Sequence, residues 1–377
     1  MESSADASRI SLRAPRLEPA VAAAGPSRPP AQASGRSLGP LWGPVLALGA
    51  GLAITSISGA AQTPRIADPA AAIEVQAQPI AGFDHSDPSR RQFGLLEFRG
   101  GLVLSSRFKE FGGLSAIRVQ GDGAHFIALS DKGWWLRGRI TYDGPRPTGI
   151  ADAEMAPILG PDGHTLASRR WYDTESIAQD GGTLYVGIER VNRIVRFDYG
   201  KDGLTARAQP IEVPPGVRSL PNNKGLEALV FVPRQLPLGG TLIAISERGL
   251  DKDGNILGFL IGGPRPGSFA VKRNADYDIS DAALLPAGDL LLLERKFSWT
   301  SGLFIRIRRI RLAAVRPGAL LDGPILFEAD LGQHIDNMEG LSVHRSANDE
   351  LVLTMISDDN FSALQRTLLL QFTLAVP

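Results

Sequence analysis

Four carboxylates sit at matching points of a repeating pattern: Glu175, Glu227, Asp281 and Glu339. They lie in the segments TESIA, GLEAL, ISDAAL and MEGLSV, and a fifth segment, GLSAI, carries Ser115 at the same point. The five positions are separated by 60, 52, 54 and 58 residues. After a turn, each segment is followed by an apolar run that closes on charge: FIALSDK, LYVGIER, LIAISER, LLLLER and LTMISDD. A second series of acids results, Asp131, Glu189, Glu247, Glu294 and Asp358. Carboxylates brought onto one axis repel unless a cation or arginines neutralise them, and an all-oxygen ligand set suits Ca²⁺ or Mg²⁺. Such an ion polarises a phosphoryl or carbonyl oxygen and lowers the pKa of bound water, which permits ester hydrolysis without a protein nucleophile.

In the second series, Lys132, Arg190, Arg248 and Arg295 each directly follow an acid. The simpler reading of these pairs is salt links between neighbouring repeats. The last repeat breaks the rule: Asp359 and Asn360 replace the basic partner, and the preceding HIDNMEG adds His334, Asp336 and Asn337. The residues expected to act in catalysis are therefore Glu339, Asp358 and His334. Those expected around a metal are Glu175, Glu227, Asp281, Asp336, Asp359 and Asn360. Arg366 and Lys224 are the candidates for an anionic substrate. Ordinary turn chemistry is the alternative for Asp359 and Asn360, and solvated surface charge for the two cations.

A period of 50 to 60 residues matches a four-stranded antiparallel sheet with its loops, the blade of a propeller. Asp-Gly pairs such as those at 143 and 180 suit tight hairpin turns. Runs such as LLLL and LVLT are too short for helices and suit strands buried on both faces. The expected fold is an all-β propeller of five or six blades. The strand TLLLQFTL should share a blade with FGLLEFRGGLVL and close the ring, a sixth blade being possible if residues 83–112 hold more than one strand of their own. The 42 glycines and 27 prolines agree with a turn-rich, helix-poor chain. Forty basic and forty acidic side chains cancel, so no summed field draws the protein to nucleic acid, and the absence of cysteine excludes thiolate chemistry.

Residues 1–61 differ in composition from the rest. An Ala-, Pro- and Arg-rich stretch expected to be disordered precedes the apolar segment LWGPVLALGAGLAITSISGAAQ, which ends in small side chains. This pattern predicts a signal peptide cleaved near Ala60 or Ala61, hence a periplasmic or extracellular protein. An uncleaved anchor spanning Leu41 to Ile57 is the alternative, and the one case in which a membrane enters. Residues 62–82 read as a linker and 83–377 as the propeller domain.

The stretches FGGLSAI, ALSDKGWWLRGRI, DTESIA, NKGLEALV, DGNILGFL, LLLLERKFS, DNMEGLSV and ISDDNFSALQRTLLLQF resemble the bacterial proteins with a phytase-like domain, labelled esterase-like activity of phytase. They span roughly residues 92–374. The resemblance implies an exported β-propeller and a hydrolase acting on a small ester or phosphoester. The double-aspartate Pro-Ala signature of calcium-dependent propeller phytases is matched only by ADPAAAIE at 67–74, so the resemblance stops short of inositol phosphate hydrolysis. A non-catalytic periplasmic binding or scaffold propeller is the other class the sequence allows.

Overall fold

A computed structural model describes residues 70–375. The leader, with its apolar segment and expected cleavage site, lies outside the described residues. Five sheets are present among the described residues, antiparallel except for one short parallel pairing of Ala270 and Val271 with Leu320 and Leu321, which decides between five and six blades. The innermost strands are Leu114–Val119, Thr174–Asp180, Leu226–Phe231, Asp278–Leu284 and Met338–Arg345, in blades 1 to 5. Each touches the innermost strands of the blades on either side, and blade 5 touches blade 1, so they form a closed ring.

Alternation within the strands explains why the apolar runs are continuous. In Leu290–Ser298 of blade 4, Leu290 and Leu292 pack toward blade 3, while Leu291 and Leu293 pack toward blade 5. Successive side chains of a strand point to opposite faces, and here both faces are interior. Five apolar clusters result, one between each pair of adjacent blades. Trp135, fully buried against Phe197, belongs to the cluster between blades 1 and 2, so it packs rather than presenting a ligand platform. The hairpins turn as the Asp-Gly pairs predict: Asp180 pairs with Thr183 across Gly181 and Gly182, and Gly181 has φ +56°.

Ring closure is made within blade 5, where Thr367–Leu374 pairs with Leu96–Ser105 along almost its full length. Part of the stretch read as a linker joins the sheets. Gln76–Ile80 extends blade 5 beyond Leu96–Ser105, and Ala71–Ala72 pairs with the outer strand of blade 1. The early chain thus ties together the two blades at the seam.

Glu294 corrects the sequence register. It pairs with Ile279, one residue before Arg295, which pairs with Asp278, and its side chain turns to the next strand, Gly302–Ile310. There it is fully buried between Arg306 (2.7 Å) and Arg308 (2.6 and 2.8 Å), and Arg308 also holds Asp322 at 2.8 Å. This network is structural, and breaking a buried ion pair from one side leaves the other charge uncompensated. Glu294→Ala is expected to lower the unfolding free energy by about 3–5 kcal/mol, measured by urea denaturation. A change below about 1 kcal/mol would show that water reaches the two guanidinium groups.

Candidate functional site

Each innermost strand carries a β-bulge near its start, and the five bulges define the site. The register shifts at Ser115, Glu175, Glu227, Ser280 and Glu339, the residue skipped in the pairing of each innermost strand with the next. A bulge leaves its extra residue unpaired and re-aims its side chain. Three of the five are glutamates and two are serines. The blade 4 member is therefore Ser280, not Asp281, a one-residue correction to the sequence alignment.

Asp281, moved one step along the strand, points down the channel and meets Arg118. The pair is bidentate, at 2.9 and 3.2 Å. Arg118 also donates to the carbonyls of Ile117, Leu341 and Leu229, and so bridges blades 1, 3, 4 and 5. The Leu341 amide adds a bond to Asp281 at 2.8 Å. With its oxygens satisfied in this way, Asp281 is a plug residue and not a metal ligand.

Just outside the bulges, the ends of the second strands form another ring. Asp131, Glu189, Glu247 and Asp358 each donate a backbone N–H to the residue that precedes the innermost strand, Gly113, Asp173, Gly225 and Asn337. The corresponding pair in blade 4 is Asp278 with Arg295. The fifth member of this ring is thus a cation, Arg295, with Glu294 turned the opposite way. Arg295 bonds Glu339 and Asn337 and reaches Glu247 at 3.3 Å. Burial opposes its charge, but Glu339, Glu227 and Glu247 overcome that penalty and raise its pKa.

Seven carboxylates converge here on one arginine and Lys224, whose Nζ lies 2.7 Å from Glu247. One oxygen from each of Glu189, Glu227 and Glu247 lies within 4.8 Å of the other two. Glu227 is 5 % exposed, and among the described residues neither it nor Glu175 has a hydrogen bond or ion pair through its side chain. Burial first, and neighbouring acids second, push both well above the usual carboxylate range. Glu339 is also raised by burial, against the pull of Arg295. Burial places Asp131 at about 6 and Glu189 at about 7. For Asp358, burial and then Glu339 give about 8. All-oxygen donors in close reach and short of positive charge are what a hard divalent cation requires, so the residues fit such an ion.

The remaining expected residues are placed otherwise. Asp359 accepts from the Gly113 and Phe361 amides at 2.9 and 3.0 Å and from the Thr367 hydroxyl at 2.9 Å, clasping blade 5 to blade 1. Asp336 accepts from the Asn337 and Arg366 amides at 3.0 and 3.1 Å. The Arg366 side chain turns back to the Ile335 carbonyl and Asp336, leaving the acid ring without its charge. Asn360 takes a turn conformation with φ +48° and donates its N–H to Asp358. His334 packs on His85, ring centroids 4.1 Å apart, and burial lowers its pKa; no hydrogen bond joins it to Glu339 or Asp358. Of the basic partners, Arg248 does bridge blades, to Asp278, whereas Arg190 reaches Asp173 within blade 2 and Lys132 lies over the Phe361 ring. The sequence undervalued Glu189 and Glu247, which it marked as repeat positions but read as salt links.

The acid ring opens into a cleft of about 790 Å³ between blades 3, 4 and 5. Lys224, Glu247, Arg295 and Glu339 form its floor.

The family model for Phytase-like: Esterase-like activity of phytase matches residues 109–361. Among solved structures, the chain is similar to a PQQ-bound aldose sugar dehydrogenase from Streptomyces coelicolor, at 13% identity and TM-score 0.38, covering 80% of this chain and 98% of that one. It is also similar to a chain of the nidogen/laminin complex, at 13% identity and TM-score 0.35, covering 70% and 86%. None of the curated proteins matches.

These acids fold with their pKa values raised, so their contribution to stability is fully present below the unfolded value of about 4. It is lost as pH rises through about 6 to about 8, the folded values of Asp131, Glu189 and Asp358. With chelator present, the Tm is expected to fall between pH 5 and pH 8. Added Ca²⁺ should restore it, and more so at pH 8, because the ion binds the deprotonated form. Thermal melts across that range check this; a Tm independent of Ca²⁺ at pH 8 would remove the cation from the site.

Proposed function

The chain belongs to the phytase-like family, esterase-like activity of phytase, and we propose that its acid ring is the hydrolytic site of a metal-assisted esterase or phosphoesterase. The observation that carries this reading is the convergence of seven carboxylates, six of them buried and two, Glu175 and Glu227, without a side-chain partner, on one channel mouth that opens into a cleft. Glu189, Glu227 and Glu247 would hold Ca²⁺ or Mg²⁺. The ion, when bound, supplies Lewis-acid polarisation of the ester oxygen and a more acidic water.

The chain's own groups divide the proton work. Asp358, whose pKa burial and Glu339 raise, would be the donor to the leaving-group oxygen. Asp131, raised less than Asp358, would be the group that accepts a proton from water. Two carboxyls whose environments separate their pKa values suit an acid and a base role. Arg295 orients Glu339 through its direct bond and offsets negative charge at the floor. His334 and Arg366 have no part in this scheme.

One observation favours the second class, a binding or scaffold propeller. Arg295 already supplies counter-charge to Glu339 and Glu247 from within the fold. Export through the leader completes the reading: a mature protein beginning near residue 61 or 62, acting on a small ester outside the cytoplasm.

Hydrolysis of p-nitrophenyl phosphate and p-nitrophenyl acetate by residues 63–377, with Ca²⁺, with Mg²⁺ and with chelator, tests the proposal. Turnover is expected with the ion and lost with the chelator. Glu227→Gln and Asp358→Asn should each lower kcat by about 10²-fold or more. A folded protein that turns over neither ester would leave the scaffold reading standing.

A further inference from the structure

The strand that places Arg295 in the acid ring goes on to build an apolar wall. Alternation puts Arg295 and Phe297 on one face of Leu290–Ser298, and Trp299 follows at the hairpin tip. Phe297 is 61 % exposed and Trp299 94 % exposed, and their rings stack edge to face at 5.2 Å. Leu303 pairs directly with Phe297 across the hairpin. Leu331 and Leu364, the latter 94 % exposed, line the same cleft from the other side. Eight large apolar side chains stand exposed among the described residues, and four of them, Phe297, Trp299, Leu331 and Leu364, line this one cleft. Such a concentration beside a polar floor is the pattern of a binding surface, not of scattered surface residues.

We infer that this wall is the subsite for the apolar acyl chain of a neutral carboxylic ester whose carbonyl lies at the acid floor. The inference rests on the hydrolase reading of that floor and adds the substrate class to it. Charge selects the neutral ester. A phosphate monoester dianion would be drawn against Glu247 and Glu339, whose nearby cations, Lys224 and Arg295, are already paired with them. A polyphosphorylated polyol would in addition place charge against Leu331 and Leu364. In the reaction one water adds to the acyl carbon, the acyl–oxygen bond breaks, and the products are a carboxylic acid and an alcohol.

The test compares p-nitrophenyl hexanoate, p-nitrophenyl acetate and p-nitrophenyl phosphate on wild type and on the Phe297→Ala/Trp299→Ala double variant. Both side chains are exposed, so the fold is expected to survive, as circular dichroism will show. Wild type should prefer hexanoate to acetate and both to phosphate. The double variant should raise KM for hexanoate about tenfold and leave acetate turnover unchanged. Equal response to the two acyl lengths, or faster hydrolysis of phosphate, would overturn the subsite while leaving the hydrolase reading intact.

Calorimetric titration with methyl hexanoate, a neutral ester, separates the two ideas in the other direction. Binding to wild type that is lost in the double variant, with no turnover of any ester, would retain the apolar subsite and sink the hydrolase. No binding of methyl hexanoate by wild type would overturn the subsite. So would a wild-type dimer, seen in sedimentation, that the double variant abolishes, because the wall would then be an interface between copies.

Discussion

The pairing of Thr367–Leu374 with Leu96–Ser105 places the first and last long strands of the described chain in one sheet. Everything at the mouth depends on it. Five innermost strands can converge on an axis only if the ring is closed, and closure also removes the edges that an open array would leave unpaired. Asp359 reinforces the same seam by accepting the Gly113 amide from blade 1. The doublet at 358–359 therefore divides its work. One aspartate faces the acid ring and its neighbour fastens the ring shut.

Within the closed ring, electrostatics follows from one arginine. Four positions at the second-strand ends are acids and the fifth is Arg295, so the repeat that concentrates negative charge also supplies the cation that makes it tolerable. The compensation is incomplete, because seven carboxylates face Arg295 and Lys224, and burial raises the pKa values of Glu175, Glu227 and Asp358. The channel does not share this character along its length. Arg118 and Asp281 neutralise one another across it and occupy the carbonyls of several blades. The excess of acids is thereby confined to one end.

The strand Leu290–Ser298 shows how a period of two distributes roles along a short sequence. Leu290 to Leu293 fill two different interblade cores. Glu294 anchors a buried arginine network on one face, and Arg295 enters the acid ring from the other. Phe297 then continues that second face into the cleft. Stability, charge balance and an exposed apolar face thus come from eight consecutive positions, and the same side-chain alternation separates them.

Much of the architecture was legible in the sequence: the blade period, the Asp-Gly turns, the doubly buried runs and the pairing of Thr367–Leu374 with Leu96–Ser105. These are local patterns, and each reports directly on a local backbone geometry. The acid series was legible as well, through Glu175, Glu227 and Glu339, because a repeat marks its own equivalent positions. The sequence could not show where each bulge falls. A bulge inserts one unpaired residue and turns the next to the other face. In blade 4 that single step exchanged Asp281 for Ser280 and Glu294 for Arg295. Nor could it show which acids are already satisfied, as Asp336 and Asp359 are by amides distant in sequence. Composition, period and charge pattern thus set the propeller and its acidic character, while the three-dimensional ring alone decided which oxygens remain free to bind, because hydrogen-bond satisfaction depends on neighbours that only folding brings together.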